Sequence, residues 1–274
     1  MTNIMSMISL FAVILYLLTG ILLGVRLSRV TEGIMVAKPT LMALGFGAVI
    51  LHAAVVYQAI VTINGLNLAF FNAWSLIGWL IALLLLLTAL ARPVENLGII
   101  LLPLAALTIV LQHVIPEQHV ILESASWQLE FHILISILAY SLLSIAAVQA
   151  VLLAVQDHHL HNRRPGGFIR ALPPLQTMES LLFQMIGLGF VLLSMALASG
   201  IIFLENIFAQ HLVHKTVLSI IAWLVFGMLL WGRHRFGWRG RTAIRWTLSG
   251  FVALMLAYFG TKLVLELVLG IGTS

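Results

Sequence analysis

The chain has 274 residues, of which 62% are hydrophobic and only 8% charged, with a formal net charge of +5, ten histidines and no cysteine. A soluble domain carries about 25% charged residues, so this is the composition of a polytopic membrane protein. Without cysteine, disulfides, thiolate zinc sites, iron–sulfur clusters and covalent thiol chemistry on this chain are excluded. The bases lie in short loops with no nucleic-acid-binding motif, so nucleic acid is not an expected partner.

A bilayer is crossed by about 20 apolar residues in a helix, and eight such runs follow one another. They are Ile4–Val25, Leu41–Ile63, Leu68–Leu90, Leu97–Ile115, Phe131–Val155, Leu181–Leu204, Thr216–Trp231 and Ala243–Leu269. The first has no basic leader and no small-residue cleavage site, and it reads as a retained span. The fourth holds Pro103, with Gln112 and His113 near its end, so an interruption is expected there. The segment Gln156–Glu179 holds Arg163, Arg164, Pro165, Pro173 and Pro174 and reads as the longest loop. No internal repeat or long linker divides the chain. The expected architecture is all-α, a single integral-membrane domain over residues 1–274 built as a bundle of about eight transmembrane helices.

Orientation follows from the bases. Twelve of the fourteen lysines and arginines fall on the odd-numbered loops, from Arg26 and Lys38 in the first to Arg233–Arg245 in the seventh. The positive-inside rule places those loops in the cytoplasm and both termini outside, in the periplasm. The histidines then sort by side. His158, His159, His161 and His234 are cytoplasmic neighbours of arginine, and His52 is near the middle of the second span. His113, His119, His132, His211 and His214 are at the outer face, with Glu117, Glu123, Glu130 and Glu205.

Histidine is the commonest protein ligand for metals and haem iron. His132 opens the fifth span beside Trp127, where it is either an interfacial anchor or a ligand. His211 and His214, three apart at the mouth of the seventh span, share a face if that stretch is helical. Imidazoles from two helices make a six-coordinate haem site; with Glu130 or Glu205 they equally hold a divalent metal. Ligation needs the neutral ring, so affinity should weaken as pH falls through about 6.5. His52 must face the protein interior, because an uncompensated imidazole in hydrocarbon is costly. It is there either as a residue satisfied by a helix carbonyl or as a ligand or relay group. Trp74 and Trp79 either line an apolar platform or serve as interfacial anchors. Lys262 and Glu266, four apart, read as an internal neutralising pair, and Asp157–His161 as solvated loop. There is no Walker sequence, HExxH or GxSxG, and no catalytic residue is assigned.

Several stretches resemble a known family. Leu172-Pro173-Pro174-Leu175-Gln176-Thr177-Met178-Glu179-Ser180 with Gly187-Leu188-Gly189-Phe190 is similar to the loop and span before the haem-handling loop of the cytochrome c assembly proteins, the CcsA, CcmC and CcmF group. The same holds for Lys215-Thr216, Ile221-Ala222-Trp223, Gly237-Trp238-Arg239-Gly240-Arg241 and Ala257-Tyr258-Phe259-Gly260. His132 with Ala139-Tyr140 matches the family's outer histidine helix, and His52 with Asn72 looks like the region of its intramembrane histidine. The resemblance covers roughly residues 40–270, is strongest from Phe131 onward, and is nearest to the compact eight-span YpjD inner-membrane branch.

The resemblance implies a bacterial inner-membrane protein that binds haem b at its outer face. It gives His132 the first outer-ligand role; the family's second outer histidine is missing here, and His214 or His211 is the expected substitute, with His52 and Trp127 as further cofactor-binding candidates. Implied partners are haem, the lipid bilayer, apocytochrome and other membrane proteins. The chain departs from the family in three places. No tryptophan lies between Leu204 and Lys215, where the WWD loop belongs; no histidine follows His234; and Lys262 stands where an intramembrane histidine is expected. These departures argue against synthase activity. They leave a second reading open, a haem-free scaffold, regulatory partner of another membrane protein, or divalent-metal carrier.

Overall fold

In lipid each backbone N–H and C=O must be satisfied within its own segment, which turns long apolar runs into helices. The computed structural model describes residues 2–28, 36–62, 65–115, 120–121, 127–162, 172–203 and 213–260. They form eight α-helices: α1 (Thr2–Ser28), α2 (Lys38–Ile60), α3 (Phe70–Ala91), α4 (Gly98–Val114), α5 (Trp127–His161), α6 (Leu175–Phe203), α7 (Val213–Phe236) and α8 (Gly240–Met255). Helices α1 to α7 are long and apolar enough to cross a membrane. A π-helical turn, Leu256–Gly260, prolongs α8.

The elements differ from the sequence expectation in three respects. Pro103 does not interrupt α4, which runs through it as one helix. The proline has no N–H and its ring needs room on the helix surface; Gly20 of α1 supplies it, since a Cβ there would lie 3.2 Å from the Pro103 ring. The loop expected over Gln156–Glu179 is shorter, because α5 continues to His161 and α6 starts at Leu175. Asp157–His161 is therefore helix, with the Asp157 carboxylate accepting from Arg241 Nε at 3.2 Å. Finally, a small antiparallel sheet joins β1 (Val61–Thr62), β2 (Gly65–Asn67) and β3 (Val120–Ile121), in the order β1-β2-β3. Its register pairs Val61 with Leu66 and Leu66 with Ile121. Strands this short carry no readable periodicity.

The chain divides into two compact units. The first, Met1–Ala125 with His158–Pro174, contains α1 to α4 and the sheet. Its helices approach closely at small residues, the usual device where lipid supplies no hydrophobic drive between helices. A Cβ on Gly45 would meet Leu86 at 3.0 Å, and one on Gly78 would meet Thr108 at 2.5 Å. The core between them holds Tyr16, Leu41, Ile77, Leu85, Leu86, Leu102 and Ile109.

The second unit, Ser126–Asp157 with Leu175–Ser274, contains α5 to α8. Gln149 Nε2 of α5 donates to the Met178 carbonyl of α6 at 3.0 Å. Trp223 of α7 stacks on Phe190 of α6 at 5.5 Å and donates its indole N–H to Ser194 Oγ at 2.8 Å. Tyr140 of α5 meets Phe251 of α8 and Tyr258 of the π turn at 5.9 and 5.5 Å.

One carboxylate joins three helices of this unit. Glu179, only 7% exposed, accepts from Arg233 Nη1 of α7 at 2.7 Å and from the Gly240 N–H that opens α8 at 3.2 Å. Arg239, the residue before α8, makes no cap with its own side chain. Glu179 therefore caps α8 from another helix, with its charge at the positive end of the helix dipole. Gly237 and Gly240 have φ of 68° and 51°, which an L side chain rarely adopts, and they turn the chain from α7 into α8. The stretches Leu172–Ser180 and Gly237–Arg241, far apart in sequence, thus meet at one polar contact.

Candidate functional site

Two histidines anchor candidate sites, one in each unit. In the first unit, His52 lies on α2 with no exposed surface. Its Nδ1 is 3.2 Å from the Tyr16 hydroxyl of α1, and its Nε2 is 2.9 Å from Ser75 Oγ of α3. Two hydroxyls from two helices, in place of a helix carbonyl, thus satisfy the ring. Each hydroxyl both donates and accepts, so the pair serves either tautomer. Both ring nitrogens are engaged, and ligation by His52 requires one of these bonds to break.

Other polar groups cluster in the same unit. Trp79 Nε1 donates to the Val49 carbonyl at 3.0 Å, one turn of α2 from His52, and so fills a structural bond. Trp74 packs against Phe70 and Phe71. Asn72 is buried and donates to the Asn67 carbonyl at 3.4 Å. Gln112 is 8% exposed, and neither end of its amide has a partner among the described residues. His113, at the same end of α4, is exposed and lies 3.5 Å from Ser6 Oγ.

In the second unit, His132 stands in the second turn of α5, half-buried against the last turns of α6. Nδ1 is 3.0 Å from Ser199 Oγ. The ring lies across the α6 backbone at Gly200, where a Cβ would come within 3.1 Å of His132 Cε1, closer than ordinary van der Waals contact. Nε2 makes no hydrogen bond among the described residues. One turn toward the start of α5, Trp127 is 67% exposed and tilts against Phe203 of α6 at 6.0 Å. Phe131, Ile201 and Ile202 are exposed at the same helix ends. An imidazole nitrogen without a hydrogen-bond partner would, in its unprotonated form, be able to hold a haem iron. Glycine at 200 leaves the space beside the ring that a Cβ would take.

His214 belongs to the first turn of α7, and its side chain is outside the described residues. So are His211, His119, Glu117, Glu123, Glu205, Lys262 and Glu266 in their entirety. Among the described residues, no group of three or more histidines and carboxylates is placed to hold a metal ion.

What sequence reading missed here is Ser199 and Gly200, which lie in an unremarkable apolar run, Met195-Ala196-Leu197-Ala198-Ser199-Gly200-Ile201. Only the packing of α5 on α6 marks them.

A family model described as cytochrome C assembly protein matches residues 40–269. The chain is 34% identical over 209 residues to the inner membrane protein YpjD of Escherichia coli strain K12, covering 75% of this chain and 78% of that protein. An uncharacterized 28.8 kDa protein of Azospirillum brasilense is 35% identical over 144 residues, 52% of this chain and 53% of its own. The cytochrome c biogenesis protein CcsA of Gloeothece citriformis is 29% identical over 112 residues, 40% of this chain and 34% of its own. No solved structure matches. With most of its length matched by the family model, the chain belongs to the cytochrome c assembly protein family.

Proposed function

We propose that this protein is a haem-handling factor of the bacterial inner membrane. It takes haem as cargo at the periplasmic face, with His132 as one axial ligand and His214 or His211 as the other. The observation that carries the reading is His132 Nε2, which has no hydrogen bond among the described residues, on the same end of α5 that carries the exposed Trp127. The arginine distribution supports a periplasmic location for that end of α5. The relatives' names, inner membrane protein YpjD and cytochrome c biogenesis protein CcsA, support the membrane and a place in cytochrome c biogenesis.

Haem b suits the site, because a chain without cysteine cannot form the thioether bonds of a covalently attached haem. When bound, haem supplies an iron that accepts two imidazoles and a Soret absorption that reports them. The protein's own groups do the rest. His132 donates its lone pair, Gly200 leaves room for the ring, and Trp127 with Phe203 shields the macrocycle from water. Apocytochrome and other membrane proteins are the partners this role implies.

The test is a titration of the detergent-purified protein with haem. A saturable Soret band of about one equivalent is expected, lost or strongly shifted in His132→Ala. A protein that retains no Soret band after gel filtration refutes the reading, and a spectrum unchanged by His132→Ala removes that residue from the site. A second reading, a haem-free scaffold, regulatory partner or divalent-metal carrier, draws on the segment between Leu204 and Lys215, which has no tryptophan. A stoichiometric membrane partner copurifying without chromophore would favour the scaffold form.

A further inference from the structure

We infer that Ser199 is the positioning residue that makes His132 a ligand, by holding its ring as the Nδ1–H tautomer and so leaving Nε2 a bare lone pair. The inference rests on the haem-handling role of His132 given above, and it concerns a residue outside the histidine set.

A serine hydroxyl has one proton to give. That of Ser199 is spent on the Ala196 carbonyl one turn back along α6, at 2.9 Å. This back-bond is the ordinary habit of serine inside a helix. With that bond made, Oγ stands as an acceptor toward His132 Nδ1 at 3.0 Å, which assigns the ring proton to Nδ1. A neutral imidazole with its proton on Nδ1 has none on Nε2, and the hydrogen bond at one ring nitrogen decides which nitrogen is available to a metal.

The surroundings make this arrangement durable. Ser199 is 5% exposed, so water competes poorly for Oγ. Gly200, the next residue, leaves open the space beside the ring that a Cβ would occupy, 3.1 Å from Cε1. The pair thus divides the task, Ser199 setting the proton and Gly200 leaving room for the ring. In metal sites such outer partners, removed singly, typically cost about 10- to 100-fold in affinity.

The experiment uses the full-length protein, haem-free, in detergent with 15N-labelled histidine. His132 resonances are identified by their loss in His132→Gln. The expected spectrum has a protonated, pyrrole-type Nδ1 and an unprotonated, pyridine-type Nε2. In Ser199→Ala the opposite tautomer appears, and haem affinity falls about 10- to 100-fold. Ser199→Thr, which keeps a hydroxyl able to make the same back-bond, restores both. A wild-type spectrum with the proton on Nε2 overturns the inference. So does a tautomer unchanged in Ser199→Ala. Because the spectrum is read without haem, a protein with the expected, Ser199-dependent tautomer that binds no haem supports the role of Ser199 and refutes only the haem reading.

Discussion

Replacing Glu179 by alanine removes the one carboxylate that ties α6, α7 and α8 together. Its two short hydrogen bonds, from Arg233 at 2.7 Å and from the Gly240 N–H at 3.2 Å, are of the kind worth about 1.5–3 kcal/mol each. Their sum is an upper bound. The Arg233 side chain is 29% exposed and keeps a bond to the Trp238 carbonyl at 3.1 Å, so solvent recovers part of the loss. Arg239, 3.9 Å from the carboxylate and 71% exposed, adds little at that distance and exposure. The expected destabilisation is therefore about 2–4 kcal/mol for Glu179→Ala. Glutamine keeps the shape and one acceptor but not the charge, so about half of that is expected for Glu179→Gln.

The assay is unfolding of the purified protein in mixed micelles of rising dodecyl sulfate content, followed by circular dichroism. Amide hydrogen exchange over residues 237–245 locates the effect, and exchange there should quicken before the rest of the helices respond. A double-mutant cycle with Arg233→Ala should return a coupling of about 1–2 kcal/mol. If Glu179→Gln unfolds within about 0.5 kcal/mol of the wild type and exchange at 237–245 is unchanged, the cross-helix cap is wrong.

Two further outcomes follow from close contacts. Gly200→Ala places a methyl 3.1 Å from His132 Cε1, so the ring must move by a few tenths of an ångström to restore ordinary contact. Haem retention should fall by only a few-fold while the helix content holds, since a shift of a few tenths of an ångström uses up much of the roughly 0.5 Å that ligand geometry tolerates; equal retention would mean that the ring is not crowded by residue 200. Tyr16→Phe and Ser75→Ala each leave one His52 nitrogen unpaired in a fully buried setting. Interhelical bonds in membranes average about 0.6 kcal/mol, while an orphaned buried polar atom costs about 1–3 kcal/mol, so a loss near 1–2 kcal/mol is expected for each. Two variants both as stable as the wild type would show that His52 finds other partners.

The helices were legible because their cause is local. A run such as Leu80–Leu90 must be helical in lipid whatever it touches, and the bases that punctuate the runs are countable without a structure. Helix ends were less legible. Asp157–His161 is polar enough to read as loop, yet it stays helical in α5, with Asp157 bound to Arg241, 84 positions along the chain. Pro103 reads as a break until Gly20, on another helix, is seen to make room for it. The sheet joining Val61–Thr62, Gly65–Asn67 and Val120–Ile121 depends on pairing across more than fifty residues, which no local pattern encodes.

The candidate site divides along the same line. His132 and Trp127 were visible as polar and aromatic residues at the end of an apolar run, and His52 as an imidazole that had to face inward. Chemistry alone marks such residues, because the bilayer penalises them wherever they fall. Tertiary structure decided which groups each one meets. It gave His52 the hydroxyls of Tyr16 and Ser75, which occupy both of its nitrogens. It gave His132 only Ser199 on Nδ1, with Gly200 as its floor and Nε2 left over. Serine and glycine are too common in membrane helices to stand out from a sequence, and they acquire meaning only when a particular ring is packed on them. Residue type and hydropathy settled membrane, helix and family resemblance; the availability of a lone pair is a matter of distances between helices.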